Sequence, residues 1–161
     1  MVRLLAFAFV VYCSLQPELA RAEDTAKQLA GSWTLISWTI QIIGGDVTEP
    51  FGPNPKGRAV FTTDGFSAFM IARPDRKPAM NDADSAALLK SLMVYTGKFT
   101  VDRDKLTTNV DLSWNEILTG TAQVRFFKLE GDKLSIRTAE QASAVYPGKK
   151  VVGTLTWERE H

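Results

Sequence analysis

The sequence has very few of the residues that enzymes most often use for catalysis and metal binding. Its only histidine is His161 and its only cysteine is Cys13. A Ser-His-Asp triad, a histidine-assisted cysteine nucleophile and a histidine-based metal site are therefore excluded within this sequence. No P-loop, dinucleotide fingerprint, Gly-x-Ser-x-Gly or Cys-x-x-Cys motif is present. We therefore assign no catalytic residues, no metal site and no cofactor from the sequence.

Long hydrophobic runs are also missing. The apolar run at residues 4–11 is shorter than the ~20 residues that span a bilayer. It follows Arg3 and precedes Ala20-Arg21-Ala22, an order that is typical of a cleaved secretory signal peptide. We predict a signal peptide over residues 1–22, cleavage after Ala22, a periplasmic or secreted location and no stable membrane insertion. A short N-terminal membrane anchor is the alternative.

No charge of either sign is in clear excess. The basic and acidic counts are 19 and 18, and both become 17 without residues 1–22, which contain Arg3, Arg21 and Glu18. Neutralising nucleic-acid phosphates requires a basic surface, so no nucleic-acid partner is predicted. Residues 23–161 contain no cysteine, so this single predicted domain must be stabilised by its core without disulfides.

The rest of the chain consists of short apolar or alternating segments separated by turn residues. About eight strands are predicted, at residues 32–42, 57–63, 66–72, 95–101, 106–112, 120–129, 134–138 and 151–158. A helix is predicted over residues 83–93, capped by Asn81 or Asp82, and a helical turn at 25–29, capped by Asp24. The fold class is therefore all-β, a closed antiparallel barrel of about eight strands with one short α-helix and room for one small ligand.

An ordered set of motifs resembles the bacterial and fungal lipocalin-like domain family, whose fold is a calycin-type barrel. The set consists of Gly31-Ser-Trp33 with Trp38, Pro50-Phe-Gly52, Asn54-Pro-Lys-Gly57, Thr63-Asp-Gly65, Arg73-Pro-Asp-Arg76, Tyr95-Thr-Gly-Lys-Phe99, residues 120–127 and Trp157-Glu-Arg159. In lipocalins a tryptophan of the first strand closes the base of the barrel, and an arginine of the last strand packs across it. The resemblance implies this structural role for Trp33 and Arg159.

Strand parity predicts which side chains face the interior, because alternate residues share a face. Leu129 precedes the turn at Gly131 and is expected to point inward, which carries Arg125, Gln123 and Phe127 inward with it. Tyr95 and Phe99 share a face of their own strand. These five residues, Arg125, Gln123, Tyr95, Phe99 and Phe127, are the predicted ligand-binding site, with Arg125 holding an anionic group. Alternatively, Arg125 pairs with Glu116 or Asp111, or lies outside the barrel.

The same parity argument leaves apolar residues on the outer face of the first strand. If Trp33 points inward, Leu35, Ser37 and Thr39 follow it, and Ile36, Trp38 and Ile40 point outward. On the predicted strand at residues 106–112, one face is expected to carry Leu106, Thr108, Val110 and Leu112. A helix stripe of Leu88, Leu89 and Leu92 is the expected cover for strand one, and a homodimer or partner surface is the alternative.

Three kinds of function remain compatible with this pattern. The leading interpretation is an exported protein that binds a small hydrophobic or amphipathic molecule, which can be anionic, inside the barrel. The second is a barrel isomerase, cyclase or dehydratase that uses Tyr95, Arg125 and a carboxylate such as Asp111 or Glu116. The third is a structural or interaction protein with a filled barrel. Whether the protein is an enzyme stays open, with a non-catalytic role favoured.

Overall fold

The structure, a computed structural model, describes residues 16–143 and 146–161. It contains two helices and ten strands among these residues. The elements are α1 (Gln16–Leu29), β1 (Gly31–Ile42), β2 (Val47–Thr48), β3 (Lys56–Phe61), β4 (Phe66–Ala72), α2 (Asp82–Lys90), β5 (Leu92–Asp102), β6 (Lys105–Ser113), β7 (Ala122–Glu130), β8 (Lys133–Arg137), β9 (Gln141–Ala142) and β10 (Lys150–Arg159).

Eight of the strands form a closed antiparallel barrel, which confirms the predicted fold class. The strand order is β1-β3-β4-β5-β6-β7-β8-β10, and β10 pairs back onto β1. The two-residue strands β2 and β9 extend β1 and β10. Closure pairs the backbone of every long strand on both sides, so the barrel has no open sheet edge.

The two helices only partly match the prediction. Asn81 caps α2 as expected, since its side-chain oxygen accepts a hydrogen bond from the Asp84 N–H at 2.9 Å. Helix α1 begins at Gln16, so Asp24 lies inside the helix and the predicted cap there is wrong. Residues 1–15 of the predicted signal peptide lie outside the described residues, and 16–22 belong to α1. The signal peptide therefore stays a prediction.

The base of the barrel is closed by the predicted pair, Trp33 and Arg159. Trp33 is completely buried, and its indole N–H donates to the Leu29 carbonyl at 2.9 Å. The Arg159 guanidinium lies 4.1 Å from the centre of the Trp33 ring and donates to the carbonyls of Ala30 and Gln28 at 2.8 and 2.7 Å. The last carbonyls of a helix have no partner within it, so Arg159 satisfies the end of α1 while it covers the tryptophan.

A second contact joins the first and last strands near the same end. The Glu160 carboxylate accepts hydrogen bonds from the Thr34 hydroxyl and from Arg58, whose Nη2 lies 2.8 Å away. These hydrogen bonds hold the pKa of the Glu160 carboxyl below its usual value, and the one from Thr34 has the largest effect. The carboxylate is therefore ionised at neutral pH and links β1, β3 and the end of the chain.

An aromatic layer fills the barrel directly above the base. Phe61 packs edge-on against Phe69 and Phe99, with ring centres 5.5 and 5.2 Å apart. Phe69 also stacks on Tyr95 at 4.8 Å and contacts Trp157 at 6.2 Å. All five residues are buried. The lower half of the barrel is therefore packed core, and any ligand space must lie above it.

A β-bulge in β1 corrects the predicted faces of this strand. Leu35 pairs with Trp157 and Ser37 with Thr156, so Ile36 is an extra residue on β1. An extra residue reverses the alternation beyond it. Ile36 is exposed as predicted, but Trp38 and Ile40 point into the barrel, opposite to the prediction that placed Ser37 and Thr39 inside.

This bulge also removes the reason to expect a cover over β1. Two of the three apolar residues on which that expectation rested, Trp38 and Ile40, line the interior. Helix α2 has no buried residue, and Leu89 is exposed. Helix α2 packs against β5. The prediction that its leucines cover strand one was therefore wrong.

A second bulge lies where β5 pairs with β6. Thr96 pairs with Leu112 but Gly97 pairs with Val110, which makes Asp111 the extra residue of β6. Val110 is buried, whereas Leu112 is 65% exposed. The expectation that these two side chains share a face was therefore wrong. Ser113 instead lies opposite Tyr95.

Candidate functional site

A cavity of about 350 Å³ occupies the upper half of the barrel, at the end away from Trp33. Its walls come from β1, β5, β7, β8, β9 and β10, together with Thr138 and the loop between β6 and β7. The apolar part of the wall consists of Trp38, Ile40, Met93, Leu118, Ile136, Val151 and Leu155. The volume falls within the range of roughly 300–1,000 Å³ that is usual for ligand pockets.

Four larger polar side chains also line this cavity, together with the smaller Thr138: they are Tyr95, Gln123, Arg125 and Gln141. In the pairing of β6 with β7, Arg125 lies opposite Leu106 and Gln123 lies opposite Thr108. Leu106 and Thr108 are both buried in the barrel. Arg125 and Gln123 are thus carried to the inner face by the register of β7. Among the residues that the structure describes, Arg125 is the only charged side chain lining the cavity.

A chain of hydrogen bonds orients the Arg125 guanidinium. The Thr121 hydroxyl donates to the Leu118 carbonyl at 2.6 Å and accepts from the Gln123 amide nitrogen at 2.8 Å. The Gln123 oxygen accepts from Arg125 Nη2 at 2.8 Å, and Nη1 donates to the Val124 carbonyl at 2.8 Å. Both acceptors of Arg125 are neutral. Within the described part of the chain no carboxylate lies within ion-pair distance of this guanidinium.

Tyr95 supplies a second polar group to the cavity. Its ring is buried against Phe69. Its hydroxyl makes no hydrogen bond to another residue that the structure describes. Burial raises the pKa of the Tyr95 phenol, and the positive charge of Arg125 offsets part of that rise. The phenol is therefore neutral at physiological pH and can donate a hydrogen bond.

Comparison with protein families identifies the chain. The model of the lipocalin-like domain family matches residues 30–160. The chain belongs to the lipocalin-like domain family. The match spans the barrel from β1 to the end of β10, including all the strands that line the cavity.

This lipocalin-like protein was also compared with solved structures and with curated proteins. It is similar to an uncharacterized protein from Bacteroides eggerthii DSM 20697 of known crystal structure, with a TM-score of 0.40 and 15% sequence identity. The match covers 82% of this chain and 99% of that chain. No curated protein matches the sequence.

The structure separates the five predicted site residues of the lipocalin-like protein into two groups. Arg125, Gln123 and Tyr95 line the cavity. Phe99 packs against Phe61 in the aromatic layer below it. Phe127 lies lower still, and lines a separate pocket of about 460 Å³ at the closed end with Gln28 and Asp102. All five lie on the inner face, but the two phenylalanines lie below the cavity.

Several cavity residues were not predicted, for two different reasons. Trp38 and Ile40 were assigned to the wrong face because the bulge at Ile36 has no clear sequence signal. Val151 and Leu155 alternate with the buried Trp157 on β10, so parity could have found them. Leu118 comes from a loop, where alternation gives no information.

The carboxylates considered for an enzyme lie away from this cavity. Asp111 is exposed at the bulge of β6 and accepts a hydrogen bond from the Thr96 hydroxyl at 2.6 Å. Glu116 is exposed in the following loop. Neither pairs with Arg125 in the structure. No cluster of three potential metal ligands occurs in residues 16–143 and 146–161, and neither described helix is long and apolar enough to span a membrane.

An open groove of about 500 Å³ lies outside the barrel, between α2 and residues 73–78. It contains charges of both signs. Arg73 forms an ion pair with Asp75 at 3.4 Å, and the carboxylate of Asp84 accepts a hydrogen bond from the Met80 N–H at 3.0 Å. Met80 itself is exposed. The groove is more open than the barrel cavity, and five of its ten lining residues are charged.

Proposed function

We propose that this lipocalin-like protein binds a small apolar or amphipathic molecule in the cavity of its barrel. The observation that carries the proposal is the contrast between the two halves of the interior. The lower half is filled by aromatic side chains, whereas the upper half contains a partly open cavity of about 350 Å³ with mostly apolar walls. That space is far above the ~10–15 Å³ that one water needs.

The apolar character of the wall favours an organic ligand as the occupant. Ordered water in a protein interior needs polar partners, and most of the cavity surface comes from aliphatic side chains, Trp38 and Met93. A cavity without an occupant also loses dispersion contacts along its lining. A filled barrel with a purely structural role is therefore the less favoured alternative.

An enzymatic role has less support from the same geometry. An arginine guanidinium cannot act as a general base in proteins, and the raised pKa of Tyr95 keeps its phenol protonated. Among the described lining residues there is no carboxylate to serve as a general base. Binding requires no such group, so a non-catalytic role accounts for the cavity with fewer assumptions.

The binding proposal predicts that filling the cavity weakens binding of a neutral apolar probe. Gly153 lines the cavity opposite Ile40, and a β-carbon there would lie 3.9 Å from the Trp38 indole nitrogen. We expect Gly153→Leu to weaken binding of phenylnaphthylamine by at least about tenfold, equivalent to ~1.4 kcal/mol. Fluorescence titration of the probe measures the effect.

Val152→Leu is the matched control for this experiment. Val152 is the neighbouring residue on β10 and alternates to the outer face. The Val152→Leu variant should bind the probe as tightly as the wild type does. Equal binding by wild type and Gly153→Leu would show that the probe does not occupy the cavity and would contradict the proposal. Native mass spectrometry of the protein purified from its own host should also reveal a co-purified small molecule.

Export is the second part of the proposed function. The basis for export is the order of Arg3, the apolar run and the Ala20-Arg21-Ala22 motif, which is typical of a signal peptide. We expect the protein in the host to begin at Glu23, so that its intact mass corresponds to residues 23–161. An intact mass that still includes Cys13 would contradict cleavage after Ala22.

A further inference from the structure

The strongest further clue in the molecule is the charge of Arg125. The guanidinium lies half-buried in a cavity whose wall is mostly apolar. It uses two hydrogen bonds on neutral acceptors, and its other N–H groups have no acceptor among the described residues. Removing a charge from water without a counter-charge is costly. A guanidinium held in this state is therefore suited to an anion that enters from outside.

Tyr95 adds a second donor on the same cavity. Its hydroxyl has no partner within the described residues. Because the phenol stays protonated, it can donate a hydrogen bond to an anion, which a phenolate would repel. Tyr95 and Arg125 line the same cavity, and the positive charge of Arg125 offsets part of the rise that burial causes in the pKa of this phenol. An anionic head group bound in this cavity therefore has two hydrogen-bond donors in its wall.

Gln123 and Thr121 orient the Arg125 guanidinium through a chain of hydrogen bonds. Thr121 uses its hydroxyl proton on the Leu118 carbonyl, so it can only accept from Gln123, and the Gln123 oxygen is thereby turned toward Arg125. The guanidinium is thus positioned before any ligand arrives. A preorganised fork of N–H groups matches the planar carboxylate group better than a spherical ion.

We infer that the ligand is a monocarboxylic acid with an apolar body, its carboxylate bound by Arg125 and Tyr95 and its body lying against Trp38, Ile40 and Leu155. This inference rests on the proposed function and specifies the ligand class. A single cation faces the cavity within the described chain, so a phosphate dianion would leave one charge uncompensated among apolar side chains. The lone cation therefore favours a monoanion.

The inference is tested with decanoic acid and decanol, which share an alkyl chain and differ in the head group. Isothermal titration of the wild type is expected to show tighter binding of the acid. Because a hydrogen bond to a charged group is a strong one, Arg125→Gln should weaken the acid by roughly 10- to 150-fold. Decanol should change by less than about threefold, which also shows that the variant is folded with its cavity intact.

Two further variants separate the head-group contact from general electrostatics. Tyr95→Phe removes one donor to the same carboxylate. Because this hydrogen bond also involves a charged group, its loss should weaken the acid by at least roughly tenfold. Arg137→Gln is the matched control, because Arg137 lies exposed over Phe126 on the neighbouring strand. Its loss should leave the affinity for the acid unchanged.

The outcomes distinguish this inference from the proposed function. Equal weakening of acid and alcohol by Arg125→Gln, or an equal effect of Arg137→Gln on the acid, overturns the carboxylate site. Binding of phenylnaphthylamine that remains sensitive to Gly153→Leu would then still support a neutral ligand in the cavity. Failure of the wild type to bind the acid, the alcohol and the neutral probe overturns both.

Discussion

Replacement of Trp33 by alanine is expected to lower the free energy of unfolding by about 3–5 kcal/mol, the range for deleting a large buried aromatic side chain. The indole is fully buried at the base, donates to the Leu29 carbonyl and lies under the Arg159 guanidinium. Its removal leaves a cavity there and exposes the end of α1. Urea denaturation followed by circular dichroism measures the loss.

Trp114→Ala is the matched control for this substitution. Trp114 lies just after β6, and its side chain is only partly buried. Its replacement should cost clearly less than that of Trp33. A loss below ~1 kcal/mol for Trp33→Ala would show that the tryptophan does not close the base of the barrel.

Gly97→Ala is expected to be at least as damaging, with a loss above about 3 kcal/mol or failure to yield soluble protein. A β-carbon at this position would lie 1.9 Å from the carbonyl oxygen of Asn109 and 2.7 Å from its carbonyl carbon. Both are backbone atoms of the adjacent strand, so relief requires the β5–β6 ladder to separate. Strain of this kind exceeds the ~1–3 kcal/mol that is typical of added methyl groups in a core. Soluble yield and the urea midpoint report it.

The control is another strand glycine with free space. At Gly153 the nearest atom to an added β-carbon is Thr138 Cγ2 at 3.6 Å, an ordinary contact. Gly153→Ala should therefore change stability by less than ~1 kcal/mol, since alanine also costs less backbone entropy than glycine. Similar losses at the two positions would show that the close approach of β5 and β6 does not constrain residue 97.

The barrel itself was predictable from the sequence because its turns and alternation are local. Asp64-Gly65 marks the hairpin between β3 and β4, and Gly131 marks the turn between β7 and β8. Each carries its own turn chemistry. Two bulges were not predictable, since the extra residues Ile36 and Asp111 fit an alternating pattern as well as their neighbours do. Each bulge reversed the predicted face of the residues after it.

For the candidate site, the sequence predicted which face of a strand each residue lies on, but not its position along the barrel axis. Parity on β7 correctly placed both Arg125 and Phe127 on the inner face. It carried no information on how far along the barrel axis each one lies, because that depends on the stagger between strands. Phe127 and Phe99 therefore fell into the packed half. The cavity wall needs long-range register, which a single sequence does not specify.

The pairing of β1 with β10 also has a consequence for the order of folding. The Thr34–Glu160 contact at this seam joins residues 126 positions apart, so the seam cannot form until the chain through Glu160 is present. Contacts of such long range slow folding because the intervening chain must be ordered first. A chain that still lacks β10 presents two unpaired edges, on β1 and on β8, and open edges promote association between molecules. The nascent protein is therefore most prone to aggregate just before the ten residues of β10 are added.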